Sequence, residues 1–101
     1  MSKYSEMLEW DLEANVLQCI DPELTENEVE SKIAWWSPAK NWRCCCEVLD
    51  SLLAITTGIN LKSDGTATTE INGKQESAGG GHCRAICELY LMAHYAEVNH
   101  G

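Results

Sequence analysis

The chain has 101 residues, 45% of them hydrophobic and 23% charged, and a formal charge of −9. That length fits one domain able to build its own core. The negative charge argues against direct contact with nucleic acid or anionic membrane surfaces. No run approaches the ~20 apolar residues of a membrane-spanning helix. Met1 to Glu6 hold no apolar signal core, so the expectation is a cytoplasmic protein with reduced thiols.

The charge is unevenly spread. Residues 1–30 hold nine acids (Glu6, Glu9, Asp11, Glu13, Asp21, Glu23, Glu26, Glu28 and Glu30) against Lys3 alone, whereas the remaining residues are close to neutral. Such a field steers toward basic surfaces. The plainer reading is a solvated, solubilising face.

Residues 2–20 read as a helix, with Ser2 as N-cap and Leu8, Leu12, Val16, Cys19 and Ile20 as its apolar stripe. Glu6, Glu9 and Glu13 share a different face. Asp21-Pro22 ends the helix. Thr25 and Glu28 form a capping box, and Leu24 with Val29 a hydrophobic staple, so a second helix is predicted over 26–36. Its buried side is Val29, Ile33 and Trp36. Trp35 and Trp36 cannot both enter one stripe, and Trp35 is left as a candidate interface anchor.

Ser37-Pro38 reads as the start of a third helix running to about Thr57. Its stripe of Trp42, Cys45, Cys46, Leu49, Leu52, Leu53 and Thr56 marks it as the central helix. Asp64-Gly65 lies between β-prone residues within 59–71 and signals a hairpin. Residues 72–81, rich in Gly and polar side chains, are expected to be a mobile loop. The last helix spans 82–98, is largely apolar and is expected against the third. The architecture is thus mainly α: one domain over residues 1–101, a bundle of about four helices with a short β-hairpin between the third and fourth. No heptad seam suggests an extended coiled coil; the sequence leaves the oligomeric state open and favours a monomer over an oligomer.

The six cysteines and three histidines supply two chemical alternatives. Cys83 and Cys87, four apart, could share a metal with His82 and with Cys45 or Cys46. The spacing matches no zinc motif, and all these cysteines sit on core stripes, where cysteine serves as a small hydrophobe. Gly79-Gly80-Gly81-His82-Cys83 opens a helix and could activate a thiol. No orienting third residue is evident, however, and the glycines lack the P-loop Lys-Ser/Thr pair. His94 and His100 have no partner by spacing. The sequence therefore implies no enzyme, no cofactor and no metal ligand set.

Two stretches, the acidic amphipathic Tyr4 to Asp21 and Trp35-Trp36 to Cys44-Cys45-Cys46, resemble in texture the small phage-encoded anti-CRISPR proteins, among them those acting on type I surveillance complexes. The resemblance covers residues 1–60 and rests on no shared motif, so it transfers no residue. It implies a stoichiometric inhibitor that docks on a Lys/Arg-rich surface of a nucleic-acid-binding complex, within the host cytoplasm, and blocks target DNA binding or hybridisation. The candidate contacts are Glu6, Glu9, Glu13, Glu26, Glu28 and Glu30, with Trp35 as the anchor. The alternatives are the zinc- or thiol-dependent helical module and an interaction protein with no CRISPR role.

Overall fold

The computed structural model describes residues 3–100, with side chains for residues 4–96. A short 3-10 turn, Lys3–Glu6, precedes α1 (Glu9–Ile20), α2 (Glu26–Ile33) and α3 (Trp42–Leu53). Strands β1 (Ile59–Leu61), β2 (Ala67–Ile71) and β3 (Lys74–Ala78) follow, then α4 (His82–His100). The class is the predicted one, four helices with a small antiparallel sheet between the third and fourth.

The centre of the molecule is α4 rather than α3. It packs on α3, α1, β2 and β3, and Ala85, Ile86, Cys87, Leu89 and Leu91 are completely buried. Side chains facing several directions are covered, as a helix apolar nearly all round requires. Each large aliphatic residue contributes roughly 1.5–3 kcal/mol by leaving water. The third helix buries only Cys45, Val48 and Leu52, while Trp42 and Leu53, expected in its stripe, are 49% and 43% exposed.

Several boundaries move for identifiable reasons. The first helix begins at Glu9, not near residue 2, and Ser2 lies outside the described residues. The guanidinium of Arg84, on α4, donates to the carbonyls of Tyr4 and Met7 and so holds them out of an α-helical ladder. Stacking of Tyr4 on Tyr95, with centroids 6.4 Å apart, fixes the same segment. Leu8, expected in the apolar stripe, becomes the N-cap and is 72% exposed.

Ser37-Pro38 opens a separate turn, in which the Lys40 and Asn41 amides donate to the Ser37 carbonyl. Asn41 then caps α3, its Oδ1 accepting from the amides of Arg43 (2.9 Å) and Cys44 (3.4 Å). At the far end the Ile55 amide bonds to Leu52 rather than continuing the α pattern, so α3 stops at Leu53. The capping box of α2 forms as predicted, with Glu28 N–H to Thr25 Oγ1 at 3.2 Å and Thr25 N–H to Glu28 Oε1 at 3.0 Å. That helix ends at Ile33, three residues short of the prediction.

The segment expected as a mobile loop, 72–81, contains β3. It pairs antiparallel with β2 from Ala67↔Ala78 to Ile71↔Lys74. Asn72 and Gly73, with φ of 54° and 80°, form the two-residue turn between them, and only glycine and asparagine adopt such angles readily. The hairpin is therefore a three-stranded meander in the order β1-β2-β3. At the other turn, a side chain on Gly65 (φ +90°) would meet Gly81 Cα at 3.3 Å, so the Asp64-Gly65 turn and the start of α4 approach backbone to backbone.

Candidate protein-binding face

The acids of the N-terminal third do not form one surface. On α1, Glu9 and Glu13 lie on the same helix face, and that face turns toward the 37–40 turn. Glu13 is 5% exposed. Its Oε2 accepts from Ser37 Oγ at 2.6 Å and from the Ala39 amide at 3.1 Å. A turn outside any helix or sheet leaves amides unpaired, and this carboxylate satisfies one of them. Glu13 therefore serves the fold and leaves the set of candidate contacts. Glu9 is partly exposed and pairs with Lys40 at 3.2 Å; with both groups open to water the pair adds little. Glu6 is exposed in the initial 3-10 turn.

The acids of α2 behave differently. Val29 and Ile33 point into the core, whereas Glu26, Glu28 and Glu30 are exposed. Helical geometry sets Glu26 and Glu30 on one flank and Glu28 on the other. Glu28 shares its flank with Leu24, Asn27, Ser31, Lys32 and Trp35, which together line a shallow, open depression of about 380 Å³. Hydrogen bonding to Thr25 holds the Glu28 carboxyl below the usual carboxylate range, so it stays ionised.

Trp35 is 71% exposed at the end of this depression, and Trp36 is 2% exposed. Trp36 donates from Nε1 to Glu47 Oε2 at 3.1 Å. The ammonium of Lys32 lies 5.9 Å from the Trp35 ring centroid and 5.6 Å from that of Trp36, within cation–π range of both. It braces the exposed ring without covering it. Trp10, at 52% exposure, and Trp42 add further exposed aromatic surface. Trp10 stands beside acids in the sequence, but nothing in the local pattern of Trp42 separates it from the core stripe.

Cys45, Cys83 and Cys87 lie near one another where α3 meets α4. All six cysteines are free, and among the described residues no three His, Cys, Asp or Glu side chains converge on a possible metal position. Burial pushes the Cys45 and Cys87 thiols well up, with neighbouring cysteines adding to the effect, which keeps both protonated and poorly nucleophilic. The Cys45 thiol lies 3.8 Å from the Cys83 carbonyl. His82 does not turn to Cys83; its Nε2 meets the Lys62 carbonyl in the β1–β2 turn. The Gly81 carbonyl accepts from the Ala85 amide and opens α4. The three glycines thus connect a strand to a helix.

By architecture this is a mainly helical domain with an inserted three-stranded antiparallel meander, and no helix among its described residues is long and apolar enough to cross a membrane. Comparison with family models, curated proteins and solved structures finds no match to the chain.

Proposed function

We propose that the chain is a stoichiometric protein inhibitor of a CRISPR type I surveillance complex, docking on its Lys/Arg-rich protein surface and blocking target DNA binding or hybridisation. The observation that carries the binding mode is the outer face of α2, where an exposed Trp35 stands at one end of an open depression with ionised Glu28 beside it. An exposed tryptophan ringed by polar groups is the usual composition of an interface anchor. Glu26, Glu30 and Glu6 extend the acidic field that draws in a cationic partner. The choice of target comes from the resemblance of residues 1–60 to anti-CRISPR proteins.

The test is a DNA-binding titration of a purified type I surveillance complex. Adding the chain in stoichiometric excess should abolish target binding at low salt and do so less effectively at high salt. Trp35→Ala and the triple variant E26K/E28K/E30K should each restore DNA binding. Unimpaired DNA binding in the presence of excess wild-type chain would reject the target; inhibition unaffected by the variants would reject the face.

A further inference from the structure

A groove of about 700 Å³ is lined by every residue of β3 together with Ser5, Thr66, Gly79, Glu88 and Met92. The strand is the edge of the sheet, with no strand among the described residues on its outer side. Its hydrogen-bonding phase follows from the turn. In a two-residue hairpin the flanking residues, Ile71 and Lys74, exchange hydrogen bonds. By alternation Thr69–Glu76 and Ala67–Ala78 do so too, and Gln75 and Ser77 aim their backbone N–H and C=O groups away from β2. The bond from the Lys62 amide to the Thr66 carbonyl at 2.8 Å, on the opposite side of the sheet, fits this phase. Among the described residues, four backbone groups, the N–H and C=O of Gln75 and of Ser77, therefore have no strand partner along the groove.

Glu88 adds a side-chain feature. It is 2% exposed yet lines the groove. Its Oε2 accepts from Arg84 Nε at 2.9 Å, its one hydrogen-bond partner among the described residues. No described side-chain oxygen is both sealed from the surface and unbonded, so Oε1 keeps a small exposed area on a residue that lines the groove. Glu76, half-buried and also lining it, makes no ion pair among the described residues. One carboxylate is matched by Arg84 and the other is not. Burial raises the Glu88 carboxyl above its usual range while Arg84 pulls against it, a balance that a second cation would tip toward the ionised form.

We propose that this groove binds an extended peptide, which joins β3 as a fourth strand through Gln75 and Ser77 and sets a Lys or Arg side chain between Glu88 Oε1 and Glu76. Main-chain pairing supplies the affinity and the basic side chain the selectivity. A second copy of the chain is the poorer occupant, since each copy carries a charge of −9. None of these residues belongs to the α2 face, so this site stands or falls independently of the inhibitor role.

The probes are capped hexapeptides of alternating Val and Thr, with one Lys walked through the four inner positions and norleucine replacing it in the controls. They are titrated into the isotopically labelled full chain and followed by amide NMR. At least one Lys peptide should shift the Gln75 and Ser77 amides saturably, and its norleucine counterpart should bind at least tenfold more weakly. Gln75→Pro removes an outward N–H that the sheet does not use, a substitution an edge strand tolerates, and should abolish binding with the fold intact. Glu88→Gln should weaken the Lys peptide about as much as norleucine does. Absence of saturable shifts at millimolar peptide, equal binding of the Lys and norleucine peptides, or undiminished binding to the Gln75→Pro chain would each overturn the proposal.

Discussion

Glutamates of α1 and α2 are drawn from the same acidic third of the sequence, yet their fates are opposite. Glu13 is buried, its carboxylate spent on the Ser37 hydroxyl and the Ala39 amide, while Glu26 and Glu30, at the same four-residue spacing as Glu9 and Glu13, stay in water. The helices do not decide this. The first packs beside a turn with amides to satisfy, and the second sets its acids away from its core residues. Clustering of charge along a chain therefore locates a charged surface only after the neighbours' unmet hydrogen bonds are counted.

Substitutions can break that contrast, and the neighbouring tryptophans repeat it. Trp36→Ala empties a fully packed site and should cost about 4 kcal/mol, seen as a lower denaturation midpoint. Glu13→Ala strands a hydroxyl and a buried amide, for about 3 kcal/mol by the same measurement; an effect as small as that of an exposed acid would erase the distinction between the two helices. Thr25→Ala removes the α2 cap for about 1 kcal/mol, with helix-start amides exchanging faster. Trp35→Ala should leave stability within about 0.5 kcal/mol of the parent, its effect confined to partner binding.

Acidification sharpens the contrast further. Hydrogen bonds to Thr25 and to Thr66 lower the Glu28 and Asp64 carboxyls. Their contributions are complete above the unfolded carboxylate value of roughly 4 and are lost as pH falls through the lower folded values. Glu88 has the opposite sign: its raised value means the folded state takes up its proton first, so its ionisation weakens folding as pH rises through that value. Denaturation midpoints of Glu28→Gln and the parent across mild acid should converge at the low end.

Local rules reach as far as local causes do. Thr25 and Glu28 mark the start of α2 because a capping box is complete within four residues. The split at Met7-Leu8 has no such mark, since the group that imposes it is Arg84, far along the sequence. Lys74 to Ala78 carry little β-propensity of their own; β2 pairs with them, and Asn72-Gly73 is the turn signal hidden in a polar, glycine-rich stretch. Of the candidate contacts, the exposure of Trp35 follows from its adjacency to a core tryptophan, whereas the burial of Glu13 depends on a turn that the sequence presents as a helix start. Glu88 reads as an ordinary polar break in an apolar helix; only the fold places it against an open strand edge.

The packing of everything else around α4 has a consequence for biosynthesis. On a ribosome, residues 3–81 emerge with their inward surfaces complete but their common partner unmade, and the carbonyls that Arg84 will gather wait longest. Until residues 82–100 have been synthesised, these elements can form only partial contacts, chiefly α1 with α2 and strand with strand. Nascent chains arrested on a C-terminal linker long enough to clear the exit tunnel, one ending before that helix and one after it, should therefore separate a protease-sensitive polypeptide from a resistant one.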